Sequence, residues 1–180
     1  MTWISRAAHA SLFALIAATL SLGYGAGPAH AALGNATLVR APDGSTRPVN
    51  NFQVGDLVVT RDGIREIVGY SSGATMPGPA VLITTANGIA TVATADQLFM
   101  APTGLVAAAD LRAGDYLVDA AFGRVAIHSV ATGSYEAGMH NLVAGGLNDP
   151  SGPHTFIANG LVVADYYTII MSQPDQPDDS

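Results

Sequence analysis

Beyond the N-terminal segment, the side chains that could move a proton, hold a metal or attack a carbonyl include three histidines, a few aspartates and the hydroxyls of Thr94 and Ser134. His128, His140 and His154 lie twelve and fourteen residues apart. Those spacings match no recognised metal-ligand pattern, so no metal and no cofactor is expected. His154, in a His-x-Phe run, reads as a buried or half-buried β residue with a hydrogen-bond partner. Ser134 sits in TGSYEAG, which lacks the spacing of a nucleophile elbow, and the sequence holds no P-loop and no His-Glu-x-x-His. A serine hydrolase has no support from this pattern. Thr94 is a candidate catalytic hydroxyl, although a threonine closing a hairpin strand is more often a β-former bonded locally. Asp96 could orient a site, and an Asx turn is its commoner role. Asp56 and Asp115 recur in matching contexts, which favours a structural role in which each caps a Gly-Asp turn by accepting backbone N–H bonds.

Those two aspartates belong to a repeat. Val39 to Val59 reads VRAPDG…VGDLVV and Phe99 to Val118 reads FMAPTG…AGDYLV. Each copy runs from an apolar pair through Ala-Pro, a turn residue and glycine to Gly-Asp and a short apolar strand. Turn glycines Gly63 and Gly123 follow, each leading into a second β-like run, Ile64 to Tyr70 and Arg124 to Ala131. Two related halves, each too small to bury its own core, are expected to pack against each other. Asn87-Gly88 between Val81–Ala86 and Ile89–Thr94, and Asn159-Gly160 between His154–Ala158 and Leu161–Val163, are hairpin signals. Asp43-Gly44 marks another turn after Thr37 to Arg40. Beyond the N-terminal segment, only Ala107 to Arg112 offers a helical turn, and Gly114 stops it. The class is all-β, with strands of about five residues.

The N-terminal segment reads as a removable address, residues 1–31. Arg6 precedes an apolar run from Leu12 to Leu22, and Ala29-His30-Ala31 carries small residues at the positions a signal peptidase reads. The run is shorter than the ~20 residues of a membrane-spanning helix. Cleavage after Ala31 and a secreted or periplasmic protein are expected, with no stable membrane insertion afterwards. Cysteine is absent, so neither a lipid-linked cysteine nor a disulfide is available and burial alone must hold the fold. Residues 32–170 are expected to form one domain, and 171–180 a disordered acidic tail. Fourteen acidic residues against seven arginines give a net charge of −7, which argues against nucleic acid or anionic lipid as partner. A protein partner is left open.

With these blocks in order, the chain resembles the Hint family, whose fold is shared by inteins and the C-terminal autoprocessing domain of Hedgehog proteins. ATLVRAPDG with VGDLVV resembles the family's opening block, and TVATADQLFMAPTG with DLRAGDYLV its second. HNLVAGG and HTFIANGLVVADYY resemble its closing blocks. The likeness spans Ala32 to about Ile170 and implies a pseudo-two-fold β horseshoe.

It also implies self-cleavage at the domain's own N-terminal peptide bond. In the family a Cys or Ser attacks the preceding carbonyl, and a Thr and a His in a Thr-x-x-His motif orient the bond and protonate the leaving amine. In inteins a final Asn, assisted by a preceding His, then cyclises. Carried onto this sequence, the nucleophile position is Ala32, the motif reads Thr94-Ala95-Asp96-Gln97, and the terminal pair is Ala164-Asp165 followed by Tyr166. Alanine has nothing to attack with, and glutamine cannot carry a proton near neutral pH. The resemblance therefore implies family catalytic positions Ala32, Thr94, Gln97 and Asp165, mostly substituted. The expectation is an exported Hint domain without self-cleavage, kept as a β scaffold or interaction module. The alternative is a diverged but active self-cleaving domain.

Overall fold

Asn87-Gly88 shows how local chemistry sets the strands. Gly88 takes φ +84, a conformation open to glycine, and Thr85 N–H donates to Ile89 O at 2.9 Å, closing a hairpin. The computed structural model describes residues 31–74, 77–146, 149–151 and 154–172. Residues 1–30 of the expected signal peptide and 173–180 of the expected tail lie outside the described residues. The first strands are β1 (Leu33–Gly34), β2 (Leu38–Arg40), β3 (Thr46–Pro48), β4 (Leu57–Val59), β5 (Arg65–Ala74), β6 (Gly78–Thr85) and β7 (Ala90–Ala93). They are followed by β8 (Leu98–Ala101), β9 (Gly104–Ala107), β10 (Tyr116–Val118), β11 (Arg124–Tyr135), β12 (Met139–Ala144), β13 (Thr155–Ala158), β14 (Leu161–Ala164) and helix α1 (Tyr166–Ser172).

Two sheets result, one ordered β10-β11-β6-β7-β1-β12-β5-β4 and the other β3-β2-β13-β14-β8-β9. Both orders read as palindromes about a central pair: β7 with β1 in the larger sheet, β13 with β14 in the smaller. The two sequence copies occupy mirrored places. β2 through β5 form the outer strands at one end, β8 through β11 those at the other. Val39 pairs with Ala158 on one side of the central hairpin, and Phe99 with Val163 on the other. β13 and β14 are buried along their whole length, as a hairpin covered on both faces must be. Phe99, Phe156, Leu117, Leu142 and Leu161 lie with them in one apolar core.

The Gly-Asp turns match bond for bond. Gln53 N–H donates to Asp56 Oδ2 at 2.8 Å, and Arg112 N–H to Asp115 Oδ2 at 2.7 Å. Gly55 N–H reaches Val68 O, and Gly114 N–H reaches Ile127 O, both at 2.9 Å. The glycines take φ +96 and +93, where a side chain would be strained. Each turn follows a single 3-10 turn, Val49–Asn51 or Ala108–Asp110, whose first residue is buried. Only the first copy adds an ion pair, Arg47 to Asp56 at 2.7 Å, with the guanidinium 3.9 Å over the Phe52 ring.

Three expectations need correction. The helical turn expected over Ala107 to Arg112 is no α-helix: β9 runs to Ala107, and the 3-10 turn covers only Ala108–Asp110. The α-helix stands instead at Tyr166–Ser172, so Met171 and Ser172, assigned from sequence to the tail, are helical. The strands are also less uniform than expected, since β5 has 10 residues and β11 has 12. These two run past their hairpin partners to pair with β12 and β6, which a local reading does not see.

Because one side-chain cap holds each turn, Asp56→Ala and Asp115→Ala should each destabilise by about 1 kcal/mol. The check is the urea midpoint of each variant, and an unchanged midpoint at either position refutes the shared role there.

Candidate functional site

Strand β1 sets the site. Leu33 pairs with Ala93 on one side and His140 on the other, so a two-residue strand is inserted between β7 and β12. Gly34 permits the close fit, since a Cβ there would lie 3.0 Å from the Tyr135 ring and 3.1 Å from Val92. The residues just before β1 are consequently covered: Ala31 is 1% exposed and Ala32 6%.

The Ala31–Ala32 peptide group is gripped at both ends. Asn141, on β12, donates from Nδ2 to the Ala31 carbonyl oxygen, while its Oδ1 accepts Leu142 N–H at 2.8 Å and fixes the amide's orientation. Ala32 N–H donates to Thr94 Oγ1 at 2.8 Å. Thr94 N–H also donates to Ala32 O at 2.8 Å, and its hydroxyl lies 3.3 Å from the same oxygen. A donor on a carbonyl oxygen is what stabilises charge developing there during acyl transfer. Position 32, however, presents only a methyl group, which cannot attack that carbonyl. A cavity of about 350 Å3 borders the peptide group, with Tyr70, Ser72, Gly73 and Tyr166 on its walls.

Gln97 and Asp165 are completely buried. Gln97 Nε2 donates to Ala164 O at 2.9 Å and Leu98 O at 3.2 Å, tying the second block to the end of β14. Asp165 follows β14 directly. Its Oδ2 accepts Ala144 N–H at 3.0 Å and lies 3.0 Å from His154 Nδ1. Its Oδ1 accepts Thr168 N–H at 3.0 Å, so Asp165 is the N-cap of α1. His154 Nε2 bonds Asp149 O at 2.7 Å and its ring stacks on Tyr167, with centroids 4.1 Å apart. The four family positions are thus gathered as two contacts, Ala32 with Thr94 and Gln97 with the residue before Asp165.

Several local readings are overturned. The Thr94 hydroxyl is not bonded locally; it meets a residue 62 positions away, because β1 lies beside β7. Asp96 forms no Asx turn: both carboxylate oxygens are buried without a hydrogen-bond partner. His154 precedes β13 rather than lying in a strand, at φ +46. Asn141 was missed, although it lies within the HNLVAGG block. Its signal is a polar residue in the buried face of β12, visible only once the register is known.

Two titratable groups nearby are displaced. Burial, Tyr70 and the charge of Asp96 push the Tyr166 phenol above its ordinary range. His140 is lowered by burial. Its Nε2 lies 2.8 Å from Ser71 Oγ, whose own proton goes to Phe52 O at 2.6 Å, so the imidazole donates from Nε2. Gly73 leaves space for the other ring nitrogen, which a Cβ would meet at 2.3 Å.

A neutral His140 in the folded chain has a pH signature. The unfolded residue takes up a proton near pH ~6.5 while the folded one resists it, so its stabilising contribution is complete above that pH and lost as pH falls. The stability gap between wild type and His140→Gln should therefore narrow below about pH 6.5, measured by urea unfolding across pH. Asp165→Ala should be the costliest single change in this cluster, about 3 kcal/mol or more, since it leaves His154 and two backbone N–H groups without their acceptor. An unfolding midpoint lowered no more than by Asp115→Ala would contradict that.

No protein-family model matches the sequence, and no curated protein matches it. Solved structures do. The gp41-1 intein superposes with a TM-score of 0.64 at 23% identity, covering 75% of this chain and 98% of that one. The DnaB intein from Synechocystis sp. PCC 6803 gives 0.63 at 16% identity, covering 75% and 98%. The MchDnaB-1 intein gives 0.61 at 23%, covering 74% and 99%. The palindromic sheets, the repeated Gly-Asp turns and these superpositions agree: the chain has the Hint fold of the inteins.

Proposed function

We propose that this chain is an exported Hint domain that does not cleave itself and serves as a β scaffold for a protein partner. The observation that carries the reading is the Ala31–Ala32 peptide group, held by Asn141 on its carbonyl and by Thr94 on its amide, with only a methyl at residue 32. Positioning without a nucleophile leaves the bond intact. The far end of the domain supports the same reading. The Asp165 carboxylate is committed to Ala144, His154 and Thr168, and a group holding a helix N-terminus is a poor attacker of its own backbone. Gln97 holds Ala164 O by hydrogen bonding and supplies no proton. Export rests on the N-terminal segment, and Ala29-His30-Ala31 puts the cut at the same peptide group.

The rival is a diverged, living self-cleaving domain. Ser72 favours it, because this hydroxyl-bearing residue lines the cavity beside Ala31 and Ala32. A serine without an adjacent base is a weak nucleophile, and no described residue bonds to Ser72 as a base would. Intact mass separates the readings. The exported protein should begin at Ala32 and run unbroken to Ser180. A version carrying a foreign soluble segment in place of residues 1–31 should keep that segment after purification. Its release, or scission after Asp165, would establish the living enzyme.

A further inference from the structure

Asp96 carries a carboxyl group without a hydrogen-bond partner. It lies in the turn Thr94–Gln97, pinned from both sides: Gln97 N–H reaches Thr94 O at 3.3 Å, and Ala109 N–H reaches Ala95 O at 2.9 Å. Both of its carboxylate oxygens are closed to solvent and accept no hydrogen bond. The ion pairs among the described residues are Arg47 with Asp56 and His154 with Asp165, so no arginine answers it. A buried carboxylate left in this state is expensive, and proteins neutralise such a group or pair it. Its charge is felt at Tyr166, which shares a cavity wall with Ala31 and Ala32. Two residues before it, the Thr94 hydroxyl accepts the N–H of Ala32 at 2.8 Å.

We propose that Asp96 and Thr94 form a receptor for an alkylammonium group, and that its occupant is the α-amino group of Ala32 created when residues 1–31 are removed. Hydrolysis of the Ala31–Ala32 bond replaces a neutral peptide N–H with an ammonium carrying three donors. One donor keeps the Thr94 hydroxyl, and the positive charge supplies what the buried carboxylate lacks. Ala32 is held for this by its carbonyl, which accepts Thr94 N–H, and by β1, which is paired on both edges. The proposal rests on the cleavage after Ala31 proposed above. It gives that cleavage a structural effect: the mature N-terminus completes the packing of the domain instead of fraying from it.

The sequence provides a clean probe. It contains no lysine, so in a chain beginning at Ala32 the α-amine is the sole primary amine. An amine-selective acetylating ester, applied to the protein purified after export, modifies that group alone. The folded protein should react at least about ten-fold more slowly than the same protein in urea, because the amine is reached only through local opening. Asp96→Asn should speed the folded reaction about three-fold or more by releasing the amine from its counter-charge. Acetylation, forced by labelling in urea and refolding, should lower the melting temperature of wild type more than that of Asp96→Asn. Equal rates in folded and unfolded wild type overturn the proposal without recourse to any variant. Equal melting shifts with and without the carboxylate overturn the pairing. An exported chain whose mass begins elsewhere than Ala32 refutes the cleavage instead, and a lack of coupling in a chain that does begin at Ala32 refutes the receptor alone.

Discussion

Two residues of backbone, Leu33 and Gly34, hold the molecule's halves in register. Inserted between β7 and β12, β1 is where the larger sheet passes from one sequence copy to the other. Neither neighbour could close the gap unaided, since β7 belongs to the hairpin of one half and β12 to the long pairing of the other. The price of so short a central strand is close fit, met by a glycine against the Tyr135 ring and by burial of Ala31 and Ala32. Everything said of Thr94, Asn141 and the cavity follows from that placement.

Gln97 and Asp165 are held by their neighbours as firmly as β1 is by its own. The Gln97 amide nitrogen and the Asp165 carboxylate are both committed to fixed partners. The first bridges two carbonyls, and the second collects backbone donors from β12 and α1 together with an imidazole. Such saturation stabilises, because each buried polar atom exchanges its water for a fixed partner. Gln97 Oε1 is the exception, buried with nothing to accept.

How much of this could be read from the sequence depends on how far each signal reaches. Asn87-Gly88, Asn159-Gly160 and the paired Gly-Asp turns are local chemistry, and they were legible together with the β class and the repeat. Helix α1 was not. Tyr-Tyr-Thr-Ile-Ile favours strands, and the helix exists because Asp165 caps it and Ile169 finds the core. Thr94 and Ala32 could be associated only through resemblance, since nothing in either segment announces the other. Asn141 reaches a carbonyl 110 residues away, and in sequence it is one more polar residue in an apolar run. The isolation of Asp96 is a tertiary fact altogether, as it consists of what does not come near.

The position of β1 also fixes an order of events. It is the first strand of the domain in sequence, yet one of its two neighbours, β12, lies more than a hundred residues later. Long loops close slowly, and pairings of such separation dominate the time a β-protein takes to fold. A chain that emerges from its N-terminus must therefore hold its first strand unpaired until nearly all the rest has arrived. Throughout that interval the Ala31–Ala32 bond is open to any protease that can read it. Once β12 docks, the opportunity closes, so folding sets the time available for any cleavage at that bond.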